Sequence, residues 1–169
     1  MASGTDADFL EFAAACSGRL FRSACLLSGD WHAAEDLLQE TLGKLYPRWR
    51  RIGRLQWPIA YAHTTLVRTY LAQQRRRSSG ERPTETLPET LTSDGDAALR
   101  LTLLDGLARL SARDRAVLVL RYWEDRSVQE TADMLDLSTS AVRVSALRAL
   151  ERLRVLLGDQ LLELALDRP

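Results

Sequence analysis

A polar stretch from Ser78 to Ala98 divides an otherwise helical sequence into two parts. It contains Gly80, Pro83, Pro88 and Gly95 but few apolar residues, a composition typical of an extended linker. On both sides of it, apolar residues recur at helical spacing, and few segments alternate as β-strands do. The chain has 169 residues, 46% of them hydrophobic, which is enough for one core or two small ones. The sequence predicts an all-α protein of two small helical domains joined by a flexible acidic linker.

The linker is acidic because the charges of this chain are sorted into blocks, although the formal net charge is zero. Between Glu81 and Ala98 five carboxylates accompany one base, Arg82. Between Thr41 and Gly80 there is no carboxylate, and nine bases fall there: Lys44, Arg48, Arg50, Arg51, Arg54, Arg68, Arg75, Arg76 and Arg77. A local basic block attracts phosphate backbones even where the whole chain is neutral. Charge alone is equally compatible with a basic face that only solvent contacts.

Three helices are predicted before the linker, at about 8–27, 32–48 and 57–76. In the first, a helical apolar stripe is formed by Phe9, Phe12, Cys16, Leu20 and Leu27. Asp30 suits the N-cap of the second helix, and Pro58 suits the first turn of the third.

Several classes of protein are disfavoured by what the sequence lacks. No apolar run is long enough to cross a bilayer, and the first residues are acidic where a signal peptide is basic. Cys16, Cys25, His32 and His63 lack ligand-like spacing, so neither a metal nor a cofactor is expected. No phosphate-binding glycine loop, paired-acid site or nucleophile motif occurs. We expect a cytoplasmic protein that is not an enzyme and has no membrane partner.

A helix-turn-helix pattern lies after the linker. Ser127 and Glu130 have the spacing of a capping box, and Ser138 can cap a second helix after a tight break. At 100° per residue the core face of that second helix gathers Val142, Ala146, Ala149, Leu150 and Leu153. The opposite face carries Ser140, Val144, Leu147 and Arg148, with Arg143 on the flank. Such a helix can enter the major groove of DNA, although two short packed helices also occur as plain structure.

The motifs in their order along the chain resemble a known family. The segment AAEDLLQETLGKLYPRW is similar to a helix that docks on an RNA polymerase clamp, and PIAYAHTTLVRTYLAQQRRR to a helix that melts promoters and reads the −10 element. LSARDRAVLVLRYWEDRSVQETADMLDLSTSAVRVSALRALERLR is similar to a −35-reading domain. From about Phe9 to Leu157 the chain resembles a two-domain bacterial sigma factor of the extracytoplasmic-function group, group IV of the sigma-70 family.

The resemblance implies three domains and three sets of contact residues. The domains are residues 1–78 (sigma region 2), 79–98 (the linker) and 99–169 (sigma region 4). Residues implied for docking on core polymerase are Glu35, Asp36, Leu37, Gln39 and Glu40. Those implied for the −10 region are Arg54, His63, Thr64, Arg68, Gln73, Gln74, Arg75, Arg76 and Arg77. Those implied for the −35 region are Ser138, Thr139, Ser140, Arg143, Val144, Leu147 and Arg148.

The function implied is promoter-specific initiation of transcription by a monomer bound to the RNA polymerase core. The expected partners are the β′ clamp and β flap of that core, promoter DNA both duplex and single-stranded, and an anti-sigma factor. The acidic linker would occupy the nucleic-acid channel of the polymerase and imitate the charge of RNA. Two other functions remain open: a helix-turn-helix regulator that binds operator DNA without polymerase, and a helical protein-interaction module.

The −10 helix departs from the pattern of the family at several positions. Relatives commonly have a basic pair where this chain has His63 and Thr64, an asparagine at Arg68, and aromatic residues near Gln73 and Gln74. A glutamine can bond an adenine edge, so these residues could still read sequence in a different way. The set of bases read by this helix is therefore not implied by the resemblance.

Overall fold

The computed structural model of the chain describes residues 4–79, 95–159 and 162. Its longer helices are α1 (Gly4–Ser28), α2 (Trp31–Leu45), α4 (Pro58–Ser78), α5 (Gly95–Ala108) and α8 (Thr139–Leu157). Shorter helices are α3 (Trp49–Ile52), α6 (Ala112–Leu118) and α7 (Val128–Leu135). A 3₁₀ turn at Tyr46–Arg48 joins α2 to α3, and a wider π-helical turn at Val119–Trp123 follows α6.

The fold class predicted from the sequence is confirmed, because the described residues form helices and no strand and are arranged as two helical domains. Most of the predicted linker, residues 80–94, lies outside the described residues. Helix α5 begins at Gly95, so the last four residues assigned to the linker are helical. Among the described helices, none is both long enough and apolar enough to cross a bilayer.

Local sequence signals determine where the helices begin. Asp30 caps α2 by accepting from the Ala33 amide at 2.9 Å, and Pro58 occupies the first turn of α4, as predicted. Ser111 caps α6 in the same way, at 3.1 Å from the Asp114 amide. Caps of this kind each contribute about 1 kcal/mol because they satisfy amides that have no partner within the helix. They set the lengths and starting points of the helices that carry the candidate site.

The first lobe (α1–α4) has its own apolar core. The stripe predicted on α1 faces it: Phe9, Cys16, Leu20 and Leu27 are buried, and Phe12 packs against them half-buried. The core is completed by buried side chains of the other helices, namely Ala34, Leu37, Leu45, Trp49, Ile52, Ala62, Leu66, Val67 and Tyr70. Burying one leucine contributes about 1.5–3 kcal/mol, so this stripe fixes how α1 lies on α2 and α4.

The second lobe (α5–α8) packs its helices closely. Gly106 of α5 faces α8, and a Cβ atom there would lie 3.2 Å from the δ-carbons of Leu153 and Leu157. Glycine therefore lets the two helix backbones approach. A smaller cluster made of Val117, Ala132 and Val142 joins α6, α7 and α8. This second contact fixes the angle at which α8 projects from the lobe.

The two lobes also pack against each other, which the sequence did not predict. Ala116, Val119, Leu120 and Met134 of the second lobe are buried in the same apolar cluster as the core of the first lobe. Arg115 reaches across and donates to the Leu27 carbonyl at 2.6 Å. In the described parts of the chain the two helical domains are therefore packed against each other.

Candidate nucleic-acid interface

Helices α7 and α8 are joined by a turn of three residues whose conformation depends on its sequence. Ser127 and Glu130 form the predicted capping box of α7, with bonds of 3.0 and 2.8 Å. Asp136 ends α7 in the left-handed region, at φ 57° and ψ 48°, where aspartate is tolerated better than most residues. Ser138 then caps α8 at 3.1 Å from the Ala141 amide, as predicted. The result is a tight helix-turn-helix.

The outward face of α8 carries the residues implied for −35 contacts. Val144 and Leu147 are 58% and 69% exposed, Ser138, Ser140, Arg143 and Arg148 are exposed, and Thr139 is half-buried. The predicted core face is confirmed, since Val142, Ala149 and Leu153 are buried and Ala146 and Leu150 pack against the core. All seven candidates thus lie along the first ten residues of one helix and its cap, which is a compact surface for a groove of DNA.

Arg143 and Arg148 differ in how free they are. In the described part of the chain no hydrogen bond or ion pair engages Arg143. Arg148 instead donates twice to the buried carboxylate of Asp114, from Nε at 3.0 Å and from Nη2 at 2.7 Å. Burial acts to raise the pKa of Asp114, but bonds from Arg148 and Ser145 outweigh it and lower that pKa. Arg148 is therefore anchored to α6, whereas Arg143 can offer its whole guanidinium to a ligand.

The −10 candidates are spread along α4 and do not form one cluster. Arg75, Arg76 and Arg77 are exposed in the last turn of α4, and Arg54 is exposed before its first turn. At 1.5 Å per residue, Pro58 and Arg75 are about 26 Å apart along the helix axis, so the candidates are distributed over the length of α4. Thr64 and Gln74 are half-buried, and the Thr64 hydroxyl donates to the Ala60 carbonyl within the helix at 3.0 Å.

Arg68 is exposed but is held by the second lobe. Its Nε donates to the Met134 carbonyl at 2.8 Å, and its Nη2 donates to the Asp133 carbonyl at 3.1 Å. These carbonyls belong to the last turn of α7, where unpaired helix carbonyls favour a cation. In this arrangement Arg68 binds a helix end in place of a phosphate or a base.

His63 is fully buried between the lobes, so DNA does not reach it in this packed arrangement, and its implied −10 contact stays a prediction. Its Nδ1 lies 3.1 Å from Oε2 of the buried Glu124, yet in the described residues neither ring nitrogen makes a hydrogen bond. Burial lowers the pKa of His63 to about 4, against the opposing effect of Glu124. Glu124 also accepts from the Ser23 hydroxyl and from Arg19 Nη2, the latter at 3.4 Å. His63 is a neutral packing residue.

The docking candidates on α2 divide between its two faces. Glu35, Asp36 and Gln39 are accessible on the surface, so a partner can reach them. Leu37 is fully buried in the core of the first lobe, where it supports α2 from inside, and its implied contact with the polymerase stays a prediction. Glu40 is half-buried and is bound to α4, where Gln73 Nε2 donates to it at 2.6 Å and Arg76 Nη2 lies at 3.5 Å.

Two carboxylates that organise the site were missed from the sequence. Asp114 orients Arg148, and Glu124 bridges the lobes through Ser23 and Arg19. Asp114 follows a serine cap by three residues, which is a helix-start signal, but nothing in the spacing shows that it faces α8. Glu124 lies at the end of an irregular turn, where helical periodicity does not indicate which way its side chain faces.

Comparisons with known proteins agree with this geometry. The family profile "Sigma-70, region 4" matches residues 106–155, which include α7, the turn and all but the last two residues of α8. The RNA polymerase sigma-E factor of Streptomyces coelicolor is 38% identical over 149 residues, which is 87% of this chain and 84% of that protein. The ECF RNA polymerase sigma factor SigL of Mycobacterium tuberculosis H37Rv is 33% identical over 147 residues, which is 83% of each chain.

The chain belongs to the extracytoplasmic-function sigma factors of the sigma-70 family. This confirms the resemblance seen in the sequence. A solved structure supports the fold: the sigma factor RpoE from Bartonella quintana, in a co-crystal with the anti-sigma factor NepR, superposes with a TM-score of 0.67. It is 24% identical, and the match covers 95% of this chain and 99% of that one.

Proposed function

We propose that this sigma factor binds the core of bacterial RNA polymerase and directs it to promoters by contacting the −10 and −35 elements and opening the DNA. One observation carries the proposal: a capped helix-turn-helix, within the segment matched to region 4, presents a row of exposed side chains on α8. The relatives named as RNA polymerase sigma factors extend the proposal to both lobes. The chain supplies recognition in the cytoplasm, and the polymerase supplies the chemistry.

The second lobe would read the −35 element through α8. Arg143 has no partner in the described residues and can bond guanine O6 and N7 with two donors. The exposed Val144 and Leu147 would contact thymine methyl groups, and Ser138 and Ser140 would bond phosphates. Arg148 would hold a phosphate with the donors that Asp114 leaves unused.

The first lobe would hold the −10 element along α4. Arg75, Arg76 and Arg77 form an exposed basic end for phosphates, and Gln73 and Gln74 lie just before them on the helix. Arg68 can join this surface only after it leaves the α7 carbonyls, which requires the lobes to separate. We propose that binding to core polymerase separates them.

The accessible acids of α2 would dock on the polymerase. Glu35 and Asp36 are adjacent and Gln39 lies one turn further, so the three present an acidic and amide surface to a basic clamp. The β′ clamp is the expected partner here, the β flap is expected to contact the second lobe, and an anti-sigma factor is a further partner. Exposed residues on α2 and α8 allow each of these contacts.

Run-off transcription with purified core polymerase on genomic fragments tests the proposal. The chain should give discrete transcripts that core alone does not give, and it should bind duplex DNA weakly without core. A stable dimer that binds duplex specifically in the absence of core, and yields no transcript with it, would instead identify an operator-binding regulator.

A further inference from the structure

Glu40 connects the docking helix α2 to the −10 helix α4. Its Oε2 accepts from Gln73 Nε2 at 2.6 Å, and its Oε1 pairs with Lys44 Nζ at 2.8 Å and with Arg76 Nη2 at 3.5 Å. Lys44 in turn donates to the buried Thr69 hydroxyl at 3.1 Å. The carboxylate is thus held at several points, and it is fixed relative to α4 as firmly as to its own helix.

The contact with Glu40 determines which way the Gln73 amide points. A carboxylate can only accept hydrogen bonds, so the amide nitrogen of Gln73 must be the atom that faces it. The hydrogen bonds from Lys44 and Gln73 hold the pKa of Glu40 below its usual value, so it is ionised at neutral pH. The Gln73 oxygen therefore points away from Glu40, and in the described residues no donor reaches it.

We propose that Glu40 is a positioning residue for base recognition: by holding one N–H of the Gln73 amide, it fixes the orientation of that amide and so the place of the Gln73 oxygen, which is offered to promoter DNA as an acceptor. The inference rests on the proposed function and specifies one contact within it. On the major-groove edge, adenine and cytosine present an amino donor, whereas guanine presents only acceptors and thymine presents an acceptor and a methyl group. Gln73 thus favours adenine or cytosine at the one position it contacts.

An unconstrained glutamine would discriminate less. Its amide has two donors and one acceptor, so it can turn to bond a donor or an acceptor edge. Fixing the amide keeps its oxygen in place for a donor edge and prevents the amide from turning over to present its nitrogen there to an acceptor edge. The exposed arginines in the last turn of α4 supply affinity without this selectivity, because phosphate contacts position a protein and do not read bases.

The test is core-dependent run-off transcription on promoters in which each −10 position is changed in turn to all four bases. Gln73→Ala first identifies the position at which preference is lost. At that position the wild-type protein should prefer adenine or cytosine over thymine by about twofold to tenfold, the range for one net hydrogen bond. Glu40→Gln should reduce this preference by at least half, because the new amide can accept as well as donate and so releases the Gln73 amide.

A double exchange separates positioning from a merely structural role. In Glu40→Gln/Gln73→Glu the amide at position 40 donates to the carboxylate at position 73, whose other oxygen is again an acceptor. The net charge of the pair is unchanged, so the preference for adenine or cytosine should return at the same position. Glu11→Gln removes an exposed carboxylate of α1 by the same chemical change and serves as the matched control. It should keep the wild-type preference.

Three outcomes would overturn the proposal. One is that Gln73→Ala alters no base preference, and a second is that the position it controls prefers guanine or thymine. The third is that Glu40→Gln lowers transcription evenly on all promoters together with affinity for core, which would make Glu40 a docking residue only. These results differ from failure of the proposed function, in which the wild-type protein gives no core-dependent transcript on any template.

Discussion

Lowering the pH from 7.5 to 5.0 should weaken the packing of the two lobes at His63. The imidazole is fully buried, and the charged groups that face it are Glu124, Arg19 and Arg126. Burial lowers its pKa from 6.5 to about 4, since the attraction of Glu124 does not offset the loss of water. His63 is therefore neutral in the folded protein across the physiological range.

The sign and size of the effect follow from these two pKa values. Above pH 6.5 the ring of His63 is neutral in both the folded and the unfolded chain and adds no pH dependence. Below 6.5 the unfolded chain takes up a proton that the folded protein does not, so stability falls as the pH falls towards 4. The free energy of unfolding is lower by about 2 kcal/mol at pH 5.0, and by about 3 kcal/mol once His63 also takes up a proton in the folded protein.

The measurement is urea unfolding followed by circular dichroism between pH 7.5 and 5.0, for the wild type and for His63→Gln. Carboxylates titrate in both proteins, so the difference between their two curves isolates His63. The wild type should lose about 2 kcal/mol more than the variant over this range. His32→Gln removes the other histidine, from an exposed position, and should retain the loss caused by His63. Curves for wild type and His63→Gln that stay parallel within about 0.5 kcal/mol would refute the reasoning.

Further predictions concern the proposed contact surfaces. Asp36→Arg should weaken co-purification with core polymerase in moderate salt while changing the free energy of unfolding by less than about 0.5 kcal/mol. Leu37→Ala should instead lower the free energy of unfolding by about 2–5 kcal/mol, as expected for a buried leucine. Arg143→Ala should reduce the discrimination among −35 variants by about 1–3 kcal/mol in a binding assay. Arg148→Ala should instead lower the melting temperature, because it leaves the buried carboxylate of Asp114 without its cation. Neutralising all three arginines of Arg75–Arg77 should lower the log–log salt slope of open-complex formation by up to about three with base preference unchanged.

Local chemistry made part of this structure predictable. The caps at Asp30, Ser127 and Ser138 depend on bonds that span three residues, so the sequence contains both partners at known spacing. The inner and outer faces of α8 follow from helical periodicity, which burial confirms at Val142 and Leu147. The same period marks the buried face of α2. The residues at 34, 37, 41 and 45 recur at helical spacing, and all four are buried.

The unpredicted part of the site depends on contacts between residues far apart in the chain. His63 is buried because Glu124 approaches from the second lobe, and Arg68 is occupied because α7 ends beside it. Neither approach leaves a periodic signal, since the partners are separated by about sixty residues and by the linker. Periodicity alone therefore cannot separate a polar residue that meets DNA from one that meets another part of the same chain.

The contacts between the lobes affect the two halves of the proposed interface unequally. On α8, Arg143 faces outward and has no partner among the described residues. It is therefore available to DNA in the packed form. On α4, Arg68 must first break its two hydrogen bonds to the α7 carbonyls. Each contributes at most about 1.5–3 kcal/mol, which is the range for a hydrogen bond with one charged partner. Separation also uncovers apolar residues such as Val119, Leu120 and Met134, which are buried in the cluster shared by the two lobes and favour the packed form. The −35 surface can thus meet duplex DNA in the packed form, whereas full use of the −10 surface needs a partner that covers the exposed apolar area.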